Sequence, residues 1–124
     1  MGSTNIVQRT RQEAFDLVVK GLLTQREKCM TGFSCVYENV MGHHCAIGFL
    51  LPENSEYLKH IGNVDSLLAQ YPELIPSFGY LDESELIELQ IIHDNRAIVL
   101  WESLLKAFAE EHYLEFNPPM EVQV

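Results

Sequence analysis

Two helix-starting signals, seventy-odd residues apart, constrain this chain more than anything else in it. Thr10-Arg11-Gln12-Glu13 and Asp82-Glu83-Ser84-Glu85 each place a short oxygen-bearing residue three positions before a glutamate. In such a capping box the first side chain accepts from the amide of the fourth residue, and the glutamate reaches back to the first amide. Behind the first box, Phe15, Val18, Val19, Leu22 and Leu23 recur at the spacing of one helical face, so a helix is expected to run to about Gln25. Behind the second, Leu86, Ile87, Leu89, Ile91 and Ile92 form an arc too wide for a surface helix, which predicts a central helix ending near His93-Asp94-Asn95. A last helix carries Ala97, Trp101, Leu104, Leu105, Phe108 and His112 on one stripe and stops at Asn117-Pro118-Pro119.

The segments between are shorter. Ser34–Tyr37 reads as a short strand, and residues 40–44 are its candidate partner. Cys45–Leu51 reads as a short buried helix closed by Pro52, with a buried strand as the competing assignment. Residues 54–60 suit a single helical turn, and Asn63 can cap a short helix through Leu67, Leu68 and Tyr71 up to Pro72. The expected fold is therefore α+β and predominantly helical: four or five helices around one core, with a small β-hairpin or strand pair near 34–44. At 124 residues one domain is expected, over 1–117, with 118–124 as a loose tail.

Charge and cysteine usage narrow the context. The formal net charge is −10, and it is uneven: residues 1–33 balance at +2 and residues 34–124 at −12. An acidic body repels phosphate backbones, so direct nucleic-acid binding is not expected, whereas a basic protein partner would be attracted. No apolar run reaches the roughly 20 residues that span a bilayer, so no membrane role is expected. No secretory pattern opens the chain, and the three cysteines include no Cys-x-x-Cys pair. Free thiols in the cytoplasm are the expectation. Oligomeric state is not encoded in any pattern we recognise.

The densest concentration of reactive side chains is Ser34–Pro52, with Cys35, His43, His44 and Cys45. If the segment after Cys45 is helical, its thiol sits at a helix N-terminus, where free amides stabilise a thiolate. His43, His44 or His93 could then act as base, with Asp94 orienting it, giving a Cys45-His93-Asp94 arrangement for a hydrolase or transferase. A structural reading competes, and we prefer it: Cys45 is a small core residue, and Asp94 caps the N-terminus of the Cys45–Leu51 helix, with Gly48 permitting close helix approach. Cys29, Cys35, Cys45 and His43 could in principle supply a zinc-stabilised domain, but their spacing lacks the tight pair of a zinc knuckle, so no metal and no cofactor are assigned. Glu83, Glu85, Glu88, Glu102, Glu110 and Glu111 are expected to form an acidic helical face for a basic partner.

The set Cys35-x-Tyr37, Gly42-x-x-Cys45-Ala46-Ile47-Gly48-x-Leu50-Leu51-Pro52 and Leu89-Gln90-x-x-His93-Asp94 resembles a family of small phage and prophage proteins. The resemblance covers roughly residues 12–110. Family members often carry a basic residue before the second cysteine, where this chain has His44, a departure that weakens any role needing fixed positive charge there. The family implies no settled activity. It implies a mobile-element context, and from that context comes the expectation of a non-enzymatic protein that binds and inhibits a host defence nuclease.

Overall fold

The computed structural model describes residues 7–31, 34–52, 55–60 and 62–119, with the backbone alone at 31, 34 and 35. Four α-helices dominate: α1 (Arg11–Gln25), α2 (Val64–Gln70), α3 (Glu83–Asn95) and α4 (Trp101–Glu111). Single 3-10 turns at Gly48–Leu50, Glu56–Lys59, Pro72–Leu74 and Ile98–Leu100 connect them. Both capping boxes form. Thr10 Oγ1 accepts from the Glu13 amide while Glu13 Oε1 accepts from the Thr10 amide, and Asp82 and Glu85 reciprocate in the same way. Asn63 caps α2 through the Ser66 amide.

The buried face of α1 is Ala14, Phe15, Val18, Val19, Leu22 and Leu23, and it packs on the 48–50 turn and on α4. Phe15 stacks on Phe108 of α4 at 5.4 Å between ring centres, an arrangement that adds to the area both rings bury. On its other sides α3 meets α2 and α4, burying Leu86, Leu89, Ile92 and His93. Ile91 stays at the surface, so the wide apolar arc is narrower in space than in sequence.

β structure is limited, among the described residues, to two-residue strands β1 (Met30–Thr31) and β2 (Ser34–Cys35), paired antiparallel, and one bridge between Glu38 and His44. The expected hairpin over 34–44 does not form, because the partner of Ser34–Cys35 lies upstream. Pairing between 37 and 45 is confined to the Glu38–His44 bridge, flanked by the Asn39 amide on the His43 carbonyl and the Cys45 amide on the Tyr37 carbonyl, and Asn39 closes the turn between them. Its Oδ1 takes the amides of both Met41 and His43, its Nδ2 donates to the Met30 carbonyl, and Gly42 follows at φ +81°. Amides held by a side chain are not free to extend a ladder. The 45–51 segment is likewise a single turn rather than a helix of any length. Its glycine does not face another helix: a methyl group on Gly48 would collide with the Tyr37 carbonyl. α4 ends at Glu111, well before the prolines, because Tyr113 adopts φ +60° and the Leu114 amide closes onto the Ala109 carbonyl at 2.8 Å. The tail expected from 118 lies mostly outside the described residues.

One end of the molecule is pinned by Glu85. The Arg11 guanidinium grips both its oxygens at 2.7 Å, and His112 Nδ1 lies 2.9 Å from Oε2. This joins α1, α3 and the end of α4. Glu85 is 4% exposed, and the Arg11 hydrogen bond holds its carboxyl below the usual carboxylate range against the opposing cost of burial. A depressed pKa contributes stability above the unfolded value of 4.5, lost as pH falls through the folded one. Glu85→Gln should therefore cost about 2 kcal/mol at neutral pH. In urea unfolding, its stability should also fall less steeply than the parent's below pH 4.5.

Candidate functional site

The loop leaving α1 meets the end of α3 at one bond. The Cys29 amide donates to His93 Nε2 at 2.9 Å, in the interior. An Nε2 that accepts carries no proton, so the ring proton sits on Nδ1 and is donated to Asp94 Oδ1 at 2.6 Å. Trp101 stacks over the imidazole at 5.6 Å and seals it. Both rings have zero exposure, and Trp101 Nε1 has no hydrogen-bond partner among the described residues. His93 thus joins the 26–31 loop to α3 and spends both of its nitrogens doing so.

Cys45 lies close by but is aimed elsewhere. Its Sγ accepts from the Gly48 amide at 3.2 Å, which makes the thiol the cap of its own turn, and Gln90 supplies a second hydrogen bond. Those two bonds favour a thiolate, though the donors are one turn amide and a side chain rather than the amides of a helix N-terminus. Complete burial outweighs them and pushes the thiol up to about 12. Nucleophilic chemistry needs an accessible thiolate and a base with a free nitrogen. Cys45 is fully buried, and the His93 nitrogens are taken by Cys29 and Asp94. The three residues are neighbours without forming a relay. Two surface grooves, of about 440 Å³ beside Tyr80 and about 320 Å³ beside Phe49, include none of the three.

The cap assigned to Asp94 belongs to Gln90. Its Oε1 accepts from the Ile47 amide at 3.3 Å, and its Nε2 donates to Asp94 Oδ1 at 3.3 Å. Asp94 stands one step back, orienting Gln90 and His93 together. Gln25 is a second residue without a role in the sequence reading. It grips the backbone of His44 at both ends, taking its amide and donating to its carbonyl, each at 2.8 Å. A signal for Gln90 was present: it sits four residues before Asp94 and three before His93, on one helical face.

Among the described residues, Cys29, His43 and Cys45 do not form a group with metal-ligand spacing. Cys29 Sγ donates to the His43 carbonyl at 3.0 Å, whereas Cys45 Sγ faces Gly48 and Gln90. The side chain of Cys35 lies outside the described residues. His44 pairs with Glu38 at 3.0 Å.

The six glutamates divide. Glu85 is interior and clamped by Arg11, so it offers no binding surface. Glu102 lies at the opposite end of α4, 3.7 Å from Arg26. The contacts of His112 bring Glu88 and Glu111 together where α3 begins and α4 finishes, with Glu83 in the first turn of α3 and Glu110 in the last turn of α4. No helix of the described residues is long and apolar enough to cross a membrane.

The chain matches no protein-family model, no curated protein and no solved structure.

A buried thiol gives two linked expectations. Native protein at neutral pH should leave Cys45 unalkylated by iodoacetamide until it unfolds, read by mass spectrometry. Because the folded pKa is raised from 9.0 to about 12, the thiol's contribution is complete below pH 9 and is lost as pH rises toward 12. Cys45→Ala should therefore flatten the alkaline fall in stability by up to about 1.4 kcal/mol per pH unit.

Proposed function

We propose that this chain is a non-enzymatic protein-binding module that sets the shared acidic end of α3 and α4 against a basic protein surface. The observation that carries this reading is that those carboxylates have no fixed positive charge beside them, the basic group at Glu88 and Glu111 being the His112 imidazole. Among the described residues, no Lys or Arg lies within ion-pair distance of Glu83, Glu88, Glu110 or Glu111, in a chain of net charge −10. Like charges gathered without counter-charge raise the potential at that surface and steer a cationic partner toward it. The buried cluster is in keeping with this reading, since both His93 nitrogens are engaged, by Cys29 and by Asp94. The resemblance to phage and prophage proteins directs the proposal to a host defence nuclease, whose nucleic-acid groove is a basic surface of the required kind.

Localised charge can be told from bulk charge with poly-L-lysine as probe. The combined variant Glu83→Gln/Glu88→Gln/Glu110→Gln/Glu111→Gln should bind about tenfold more weakly at low salt, with a shallower salt dependence. The combined variant Glu27→Gln/Glu56→Gln/Glu73→Gln/Glu102→Gln removes the same charge elsewhere and should bind nearly as the parent does. Equal weakening by both sets would contradict a defined surface.

A further inference from the structure

We propose that Glu88, Glu111 and His112 form a site for one divalent transition-metal ion of the zinc class, at the junction of α3 with the end of α4. The proposal rests on ligand geometry and is independent of the partner suggested above. One ligand atom from each residue lies within 4.8 Å of the other two. His112 Nε2 is 3.4 Å from Glu88 Oε1 and 3.7 Å from Glu111 Oε1. Zinc bonds of about 2.0–2.2 Å at tetrahedral angles put ligand atoms about 3.3–3.6 Å apart. Direct N–H···O bonds bring the same atoms to about 2.9–3.0 Å. His112 Nε2 and Glu88 Oε1 share a long hydrogen bond at 3.4 Å, and both His112 separations match the ligand–ligand distances of such an ion, so it fits between the groups with little rearrangement.

The imidazole is prepared for that role from behind. Its Nδ1 lies 2.9 Å from Glu85 Oε2, and Glu85 is itself fixed by the two-pronged Arg11 contact. A carboxylate on one nitrogen places the ring proton there and leaves the other nitrogen's lone pair free for metal. The ring also rests on Phe108 at 4.3 Å, so its plane is set twice. The two carboxylates are differently held: Glu88 is 41% exposed and Glu111 67%, which leaves Glu111 free to rotate the last fraction of an ångström onto an ion. One nitrogen with two carboxylate oxygens selects the zinc class over calcium and magnesium, which favour all-oxygen sets. A fourth position is left to water.

The test is calorimetric titration of the chelator-stripped protein with Zn²⁺, with melting temperature followed in parallel. Saturation at one ion per chain and a raised melting temperature are expected. Glu88→Gln should weaken binding by at least about tenfold. The metal-free melting temperature of that variant should shift by only a few degrees, because the amide keeps an acceptor toward His112. The neighbouring pair Glu83→Gln/Glu110→Gln should bind as the parent does. Three results would overturn the proposal: no saturable binding; equal losses in both variants, which would mean diffuse attraction to an acidic surface; or binding indifferent to Glu88→Gln, which would place the ion on the cysteines or elsewhere.

Discussion

The buried hydrogen bond from the Cys29 amide to His93 Nε2 is the contact on which the arrangement of this molecule turns. It brings the loop after α1 onto the end of α3, and the segment from Asn39 to Leu51 follows through Cys29 Sγ on His43 and Gln90 on Ile47. A backbone amide left without a partner in the interior costs about 1–3 kcal/mol, so the imidazole there is a structural requirement rather than a spare base. Asp94 completes the unit by accepting from both His93 and Gln90. Polar groups with catalytic potential are consumed in building a sealed junction. The desolvation that makes the junction strong also disqualifies Cys45 as a nucleophile.

The opposite end of α3 is organised on a different principle. There Arg11, Glu85 and His112 join three helices with charged groups near the surface. Beyond them His112 also reaches Glu88 and Glu111, and no Lys or Arg among the described residues pairs with those carboxylates. One end of the helix is thus packed closed around His93, and the other is acidic and open. A single helix connects the two, so the interior junction fixes the frame in which the acidic end is presented.

Local chemistry made much of this visible in the sequence. Thr10, Asp82 and Asn63 announced three helix starts because an oxygen side chain before an apolar run has few other uses. The neighbourhood of Cys45, His93 and Asp94 was also foreseeable, but the roles within it were not. Which amide meets which side chain depends on loop geometry: Gln90 caps the turn at Ile47 and Asp94 does not. The end of α4 was hidden for a similar reason, since Tyr113 takes the left-handed position that glycine usually signals. The hairpin expected over 34–44 is reduced to one bridge because Ser34–Cys35 pairs upstream with Met30–Thr31 and Asn39 takes the turn amides of Met41 and His43. The acidic face came apart in three dimensions, because residues on one helix stripe need not share an end of the molecule, and Glu85 had a cation waiting for it on α1.

The claim that His93 is a neutral structural acceptor is read most directly from long-range ¹H–¹⁵N correlation spectra of its imidazole. The structure predicts a single, non-exchanging tautomer with the proton on Nδ1 and a scalar coupling across the hydrogen bond from the Cys29 amide to Nε2. A ring protonated at Nε2, or one averaging between tautomers as a solvent-exposed histidine does, would contradict the account and return His93 to the list of available bases.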